Sequence, residues 1–259
     1  MLINTVILFL RDALPIFVLV VYLYAHLPES KLWLGLSFVA GALLSLVYVN
    51  QIHAIGQWFD DKGIELSLWM SHVFVYLLTL ILAYQLSRYH VSNKHGVYCV
   101  AGLMVSLTLV SNGSNFIVYF EGYLNQSNVM QPMLLGTFLG LGICLSLAVL
   151  LYLAAHWLKQ RFGPLATWLL VLIYVTGQLV NALPLLVQVD VIDASTTAWS
   201  SQHIVSNELE FGHLFRVLFG YHASPSIAQV TVYIFALLIP IAALYWLRPN
   251  SAPQTGNPP

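Results

Sequence analysis

The side chains best able to do chemistry lie in two short polar runs inside otherwise apolar stretches. The first run is Arg11-Asp12-Ala13-Leu14-Pro15, within an apolar segment at about residues 3–26. The second is Ser111-Asn112-Gly113-Ser114-Asn115, within an apolar segment at about residues 97–120. A charged or strongly polar side chain is costly to keep in an apolar helix, so it is normally functional or paired. Both runs are therefore candidate functional positions.

Spacing suggests what each run could do, and each also has a simpler explanation. Pro15 has no N–H, which frees a backbone carbonyl one turn back, beside Asp12. Asn112 and Asn115 lie three residues apart and share a helix face. The alternatives are a local Arg11–Asp12 pair with a packing kink, and small polar residues that only pack helices together. His72, in another apolar stretch, is a weaker candidate, since such histidines are most often satisfied within a bundle.

The elements that must position these residues are predicted to be membrane-spanning helices. The chain of 259 residues is 59% apolar and only 7% charged, with a mean hydropathy of +0.81, whereas soluble domains carry roughly 25% charged residues. Segments near the 20 or so residues that cross a bilayer lie at about 3–26, 32–51, 66–87, 97–120, 132–156, 164–187 and 227–247. The sequence predicts an all-α protein with seven transmembrane helices in one membrane domain, residues 1–248. An outer loop is expected at residues 188–226 and a disordered cytoplasmic tail at 249–259.

Several function classes are disfavoured by the composition. A net charge of −1 without a basic run argues against nucleic-acid binding. Cys99 and Cys144 fall inside apolar segments and are interpreted as packing residues, not a disulfide or thiolate metal site. No His-Glu-x-x-His or Ser-x-His constellation lies in a helix, and a pair of facing haem-ligating histidines is not evident, so an enzyme is not expected. The first apolar stretch has no basic leader and is not read as a cleavable signal.

The distribution of charged residues predicts the orientation. Six basic residues fall on one side of the seven predicted spans and only Lys62 and Arg216 on the other, so the N-terminus is expected outside and the C-terminus inside. The six are Lys31, Arg88, Lys94, Lys159, Arg161 and Arg248. Most acidic residues fall outside, either as a consequence of this bias or as a cation-gathering vestibule. The predicted vestibule comprises Asp60, Asp61, Glu121, His203, Glu208, Glu210 and His213.

The two polar runs lie on spans that cross the membrane in opposite directions, each in its outer half. Three helices, three more inverted and one extra helix form a plan used by transporters, whose sites lie at the repeat interface. The hydropathy pattern is compatible with this 3+3 inverted repeat plus one helix.

Several motifs give the chain a family resemblance. Phe9-Leu10-Arg11-Asp12-Ala13-Leu14 is similar to the pattern Phe-Leu-Arg-Glu-Gly-Leu-Glu, and Gly63-Ile64-Glu65-Leu66 to a Glu-Leu-Phe-Glu helix entry. The C-terminal matches are Trp199-Ser200, Gly212-His213-Leu214-Phe215, Leu218-Phe219-Gly220-Tyr221 and Pro225-Ser226, with Gln229-Val230 and Tyr233. Together they resemble the oxidase-dependent high-affinity iron permease family, which implies seven spans and an outside N-terminus.

This resemblance implies a metal site with altered ligands. The family is understood to bind iron through Arg-Glu-x-x-Glu carboxylates on its first and fourth helices. Here Asp12 replaces one Glu and Pro15 another, while Asn112 and Asn115 replace both on the fourth helix, so one carboxylate remains of four. Hard cations prefer carboxylate oxygens and accept amide oxygens less well. The expected metal ligands are Asp12, Asn112 and Asn115, supported by Arg11, Pro15, Ser111, Gly113, Ser114 and Glu65.

Two functions are compatible with this altered site. The first is a permease-like protein for metal-ion uptake, with ferric or ferrous iron as cargo and no permanently bound cofactor. The other is a non-transporting subunit or receptor derived from such a permease, binding a partner or a different cation. The resemblance implies an extracytoplasmic iron-delivery or oxidase partner and a multi-pass protein of the bacterial inner membrane that could form oligomers.

Overall fold

The described part of the chain is helical. The computed structural model describes residues 2–27, 32–87, 94–124, 130–193, 196–203 and 210–247. In these ranges no β-strand forms, and one isolated antiparallel bridge joins Thr197 and Ser226, so the all-α prediction is confirmed. The main helices are α1, Leu2–His26; α2, Leu32–Asn50; α3, Gly63–Ser87; α4, Lys94–Leu124; α5, Met130–Phe162; α6, Pro164–Asn181; α7, Glu210–Phe219; and α8, Ile227–Leu247.

Six of these helices are long and apolar enough to cross a bilayer. They are α1 to α5 and α6, which continues past a break at Ala182 into the short helix Leu183–Gln188. The last helix, α8, contributes a shorter apolar stretch, Ile227–Ala243. Six long apolar helices therefore fit the multi-pass membrane protein predicted from composition.

Burial separates inner helices from outer ones. In α1 and α6, 61% of the most apolar window is buried within the bundle, compared with 22% in α2, α3 and α5. The outer helices expose large apolar side chains, which suits contact with lipid acyl chains instead of water. The core of the bundle forms around α1, with fully buried Leu14, Val18, Leu19 and Leu23. The polar residues of α1 therefore lie on a central helix.

The turn regions at one end fix α1 to its neighbours. Lys159 of α5 donates from Nζ to the carbonyl of Ala25 at 2.8 Å, satisfying a C-terminal carbonyl of α1. His26 is hydrogen-bonded to Thr167 of α6, with 2.8 Å between Nδ1 and Oγ1. Gly163, at φ +84°, makes the tight connection between α5 and α6.

Two helix pairs pack closely through small residues. Ser37, Gly41 and Ser45, four residues apart on α2, lie against α4, where a Cβ on Gly41 would be 2.8 Å from Leu109. In the same way, Gly136, Gly140 and Cys144 of α5 lie against α1, where a Cβ on Gly140 would be 2.7 Å from Phe9. Small residues permit such backbone approach between membrane helices.

The segment predicted as an outer loop contains a helix that packs into the bundle. Val217 and Leu218 of α7 are buried in the main apolar core. A Cβ on Gly177 of α6 would lie 2.6 Å from the backbone nitrogen of Gly220, so only glycine fits there. Gly220 also has φ +69°, a conformation that favours glycine. This contact holds α7 against α6 at the level of the polar residues of α1.

Candidate functional site

The first polar run lies in a local irregularity of α1. Residues Phe9–Ala13 form a π-helical turn, in which the N–H of Leu14 donates to the carbonyl of Phe9. Pro15 follows at the start of the next α-helical segment, where its missing N–H is tolerated. Its own carbonyl accepts a hydrogen bond from the Tyr174 hydroxyl of α6 at 2.6 Å. Such π-turns are frequent at functional sites because they alter the positions of side chains on a helix.

Asp12 is the buried centre of this turn. Its side chain is 5% exposed, whereas that of Arg11 is 60% exposed. Arg11 Nη2 donates to Asp12 Oδ2 at 2.8 Å, and Arg11 Nε is 3.1 Å from both carboxylate oxygens. Asn115 Nδ2 of α4 donates to Asp12 Oδ1 at 3.3 Å. The structure thus brings together the polar runs of α1 and α4 at Asp12 and Asn115.

The helices that carry these residues are antiparallel at the contact. Thr5 is hydrogen-bonded to Tyr119 at 3.1 Å, and the rings of Phe9 and Phe116 meet edge to face at 4.8 Å. Residue numbers therefore fall along α4 as they rise along α1. Asp12 and Asn115 continue this series toward the middle of the bundle.

Asn112 is not brought to Asp12. Its Nδ2 donates within its own helix, to the Thr108 carbonyl at 2.9 Å and to Ser111 Oγ at 3.2 Å. Instead, Asn112 lines a second site, a cavity of about 10 Å³ between α3, α4 and α6. Its lining residues are His72, Val75, Thr108, Ser111, Asn112, Tyr174, Val175 and Gln178.

The other members of the α4 run have separate roles. Gly113 lies against α2, where an added Cβ would be 3.3 Å from Ser45 Oγ. Ser114 is buried and donates to the Ser111 carbonyl at 3.4 Å. The run therefore serves both helix packing and the two polar sites.

A cationic side chain from the segment between α6 and α8 lies near the Arg11–Asp12 pair. Arg216 of α7 is half-buried, and its pKa is lowered by burial and by the charge of Arg11. Among the described residues no carboxylate pairs with Arg216. Asn181 of α6 donates to the Arg216 carbonyl at 3.0 Å and fixes this part of α7. Sequence reasoning missed Arg216, Tyr174 and Gln178 as neighbours of the site, although Gln178 and Asn181, polar and three apart in an apolar helix, were a usable signal.

None of the predicted vestibule residues that the structure describes is hydrogen-bonded to Asp12. Asp60 and Asp61 are exposed in the α2–α3 connection, Glu121 is exposed near the end of α4, and Glu65 is in the first turn of α3. His203 is exposed, and Glu210 begins α7. His213 lines an apolar cavity of about 320 Å³ between α1, α5 and α7. Glu208 lies outside the described residues, as do Lys31, Arg88, Arg248 and the tail at 249–259.

The Asp12 carboxylate can bind a cation only if its present hydrogen-bond partners move. Nowhere in the described ranges do three or more His, Cys, Asp or Glu side chains cluster as metal ligands would. Asp12, the one buried carboxylate among the described residues, accepts hydrogen bonds from Arg11 and Asn115 on both oxygens. A cation could reach it only by displacing the Arg11 guanidinium.

Comparison with known proteins adds no relative to these geometric findings, because no family model, no curated protein and no solved structure matches this chain.

Proposed function

We propose that this protein is a permease-like membrane protein for a metal cation, with iron as the first candidate cargo. The observation that carries the proposal is the hydrogen bond from Asn115 to Asp12, which joins the polar runs of two antiparallel helices inside an apolar bundle. Asp12 offers a charged oxygen ligand and Asn115 an amide oxygen, both acceptable to hard cations. The cargo would bind between α1 and α4.

Correspondence between the two halves of the bundle supports an inverted-repeat plan. Ser45 of α2 donates to the carbonyl of Leu109 at 3.0 Å, and Cys144 of α5 donates to the carbonyl of Phe9 at 3.6 Å. The two donors lie 99 positions apart in the chain and the two acceptors 100 positions apart. The α2–α4 and α1–α5 pairs thus have matching contacts, as expected if α4–α6 repeat α1–α3.

The same offset relates the two polar runs. Asp12 corresponds to Asn112 at an interval of 100 residues, so the two runs occupy equivalent positions in the proposed repeats. Transporters of this plan bind substrate at the repeat interface, frequently where a helix is interrupted. The π-turn of α1 is such an interruption. In this plan α8 is the seventh span, since a helix of 21 residues is about 30 Å long, the thickness of the hydrocarbon core.

Arg11 has a gating role in this mechanism. Its guanidinium occupies the position at which a cation would bind and neutralises Asp12 until a cation replaces it. A metal cation that reaches Asp12 replaces this pair, and the exposed side chain of Arg11 moves away from the carboxylate. Release of the cation restores the pair. The site therefore never holds an unpaired carboxylate in the membrane, which would be costly.

Uptake into proteoliposomes tests the proposal. Purified protein is reconstituted and the entry of ⁵⁵Fe²⁺ is measured. We expect Asp12→Asn to reduce uptake at least about tenfold, since a cation loses its charged ligand, and Asp12→Glu to retain it. Arg11→Gln is expected to tighten cation binding, because no resident guanidinium competes.

Asp193→Asn is the matched control, since it removes an exposed carboxylate of the outer segment and should leave uptake unchanged. Gel filtration of each variant separates a loss of uptake from a loss of folding. Equal uptake by wild-type protein and a well-folded Asp12→Asn variant would contradict the assignment of Asp12.

One observation favours the second candidate, a non-transporting subunit or receptor. The Asp12 carboxylate is fully occupied by Arg11 and Asn115, as in a structural ion pair. If this is its role, wild-type proteoliposomes take up no metal, and Asp12→Asn lowers thermal stability without any effect on transport. An extracytoplasmic partner and a location in the bacterial inner membrane belong to both candidates as proposals.

A further inference from the structure

A second polar site lies next to the Arg11–Asp12 pair and has its own chemistry. It is the cavity between α3, α4 and α6, lined by His72, Asn112, Gln178 and their neighbours. Its volume of about 10 Å³ is close to the minimum needed for one water molecule. Polar groups at this depth of a membrane bundle require partners or a function.

Hydrogen bonds determine which atoms of these residues remain available. His72 Nδ1 is 2.8 Å from the carbonyl of Leu68, which can only accept, so Nδ1 carries the proton and Nε2 of the neutral ring is an acceptor. Asn112 uses its amide N–H groups on Thr108 and Ser111. Gln178 donates from Nε2 to the Val217 carbonyl at 3.0 Å. Each of the three side chains therefore retains an acceptor: His72 Nε2, Asn112 Oδ1 and Gln178 Oε1.

Donors to these acceptors are scarce within the described residues. The Tyr174 hydroxyl donates to Pro15, and the Ser111 hydroxyl donates to the Thr108 carbonyl. The Thr108 hydroxyl can supply one hydrogen. The cavity is thus lined by more acceptors than donors, and no charged side chain lines it. Such a site attracts a species that brings hydrogens and positive charge.

We propose that His72 and this cavity form a proton-binding site. A hydronium ion in the cavity transfers a proton to His72 Nε2, so that an N–H bond forms as an O–H bond breaks, leaving one water and an imidazolium. The new N–H donates to that water, and the water donates its two hydrogens to Asn112 Oδ1 and Gln178 Oε1. The protonated state is fully hydrogen-bonded.

The polar groups of the cavity are also fully hydrogen-bonded when His72 is neutral. The water then donates to His72 Nε2 and to one amide oxygen, and the Thr108 hydroxyl can donate to the other. Because both states are hydrogen-bonded, neither the gain nor the loss of a proton leaves a buried polar group unpaired. Reversible loading is what a coupling ion requires.

Few other titratable groups surround His72. Helix α4 contributes only Thr108, Ser111 and Asn112, and α6 contributes the phenol of Tyr174. Helix α8, which also packs on α3, places Tyr233 against the same apolar cluster as Leu66 and Trp69. The Tyr76 hydroxyl of α3 donates to the Ala236 carbonyl of α8 at 2.9 Å. On α3 itself the nearest carboxylate is Glu65, seven residues before His72. A proton taken up here is therefore assigned to His72.

Two lining residues connect the cavity to the cation site. Tyr174 donates to the Pro15 carbonyl, just after the π-turn that carries Arg11 and Asp12. Gln178 donates to the Val217 carbonyl, beside Arg216 on α7. If His72 protonation draws the Gln178 amide toward the water, the position of α7 next to Arg11 changes with it. We infer that the proton is the coupling ion of the proposed permease, a statement that rests on the proposed function.

Histidine NMR tests the proton site without any transport. Full-length protein with ¹⁵N-labelled histidine is placed in lipid nanodiscs, and the nine histidines are followed between about pH 8 and pH 5, where imidazole titrates. The His72 signal is assigned by its loss in His72→Gln, with His156→Gln, an exposed position, as the matched control. We expect His72 to change from the Nδ1–H tautomer to the doubly protonated ring.

Substitutions of Asn112 and Gln178 test whether their amide oxygens stabilise the protonated His72. Asn112→Leu and Gln178→Leu each remove an amide carbonyl dipole that stabilises the imidazolium charge more than the neutral ring, so each should lower the midpoint of His72 protonation by about one pH unit, a tenfold loss of proton affinity. A His72 ring that stays neutral throughout would overturn the proposal and leave a cavity filled by water alone. If neither variant changes the midpoint of His72 protonation, the proposed role of the Asn112 and Gln178 amide oxygens is overturned.

The coupling is tested separately in proteoliposomes. An inwardly directed proton gradient should accelerate ⁵⁵Fe²⁺ uptake by wild-type protein several-fold. The same gradient should have no effect on uptake by His72→Gln. If wild-type protein carries no metal, the permease proposal fails while the NMR result still decides the proton site. If uptake occurs in both proteins but does not depend on the gradient, proton coupling is refuted. That result would leave the proposed cargo site intact.

Discussion

Among individual residues, His222 is one whose contacts depend on its protonation state and therefore on pH. It follows α7, and its Nε2 lies 2.9 Å from Oδ1 of Asn181, whose amide nitrogen already donates to the Arg216 carbonyl. His222 therefore donates to Asn181 as a neutral ring. Burial, and then the charge of Arg216, lower its pKa from the usual 6.5 to about 4. The docked segment thus favours the unprotonated histidine.

This shift predicts how docking of α7 responds to acid. Above about pH 6.5 both docked and undocked forms are neutral and docking is strongest. As pH falls toward 4, only the undocked segment takes up a proton, so the free energy of docking declines by up to about 3 kcal/mol. Hydrogen exchange of the α7 amides, corrected for intrinsic rates, measures it. His222→Gln, which keeps an N–H donor, should remove the pH dependence; an identical profile in the variant would refute the role of His222.

At the scale of elements, α7 is the helix whose position matters most for the site. It brings Arg216 near Arg11 and is attached to α6 through Gln178, Asn181 and the backbone contact of Gly177 with Gly220. An amphipathic ten-residue helix would not be stable alone. Its order depends on these tertiary contacts with α6.

Gly177→Ala tests that dependence. The added methyl group would lie 2.6 Å from the Gly220 nitrogen, and overpacking of this kind costs about 1–3 kcal/mol. We expect a lower thermal midpoint and faster exchange of the α7 amides. Gly142→Ala in α5 is the matched control, because nothing lies within 4 Å of its added Cβ. A Gly177→Ala protein as stable as the control would show that the close contact is dispensable.

For the whole molecule, charge is divided between the two ends of the bundle. Lys159 and Arg161 lie at the end where α5 meets α6. The described acidic residues outside α1 lie at the opposite end; they are Asp60, Asp61, Glu65, Glu121, Asp190, Asp193 and Glu210. The bias of basic residues toward the cytoplasm predicts that the acidic end faces outside.

Cysteine labelling in intact cells tests that orientation. In a Cys99→Ser background, which removes the exposed native thiol and leaves buried Cys144, single cysteines are placed at Asp193 and Gln160. A membrane-impermeant maleimide should label Asp193→Cys in intact cells and Gln160→Cys only after permeabilisation. The reverse pattern would invert the predicted topology and place the carboxylates in the cytoplasm.

The sequence by itself determined the helical character of this protein and its six helices that are long and apolar enough to span a membrane. Hydropathy is a sum over neighbouring residues, so six long apolar helices follow from local composition. The polar runs around Asp12 and Asn115 were equally visible, because a charge or a cluster of amides stands out in an apolar segment. The orientation, the seventh span and the repeat remain predictions of the sequence.

Only the tertiary structure decided what each polar side chain meets. Asn112 and Asn115 share a helix face, but three residues turn an α-helix by about 300°, leaving the two side chains about 60° apart. That angle suffices for Asn115 to reach Asp12 on α1 while Asn112 lines the His72 cavity between α3 and α6. The approach of Arg216 to Arg11 likewise depends on a contact between Gly177 and Gly220, 43 positions apart. Local sequence carries no signal for such pairings, since they exist only after the helices have packed.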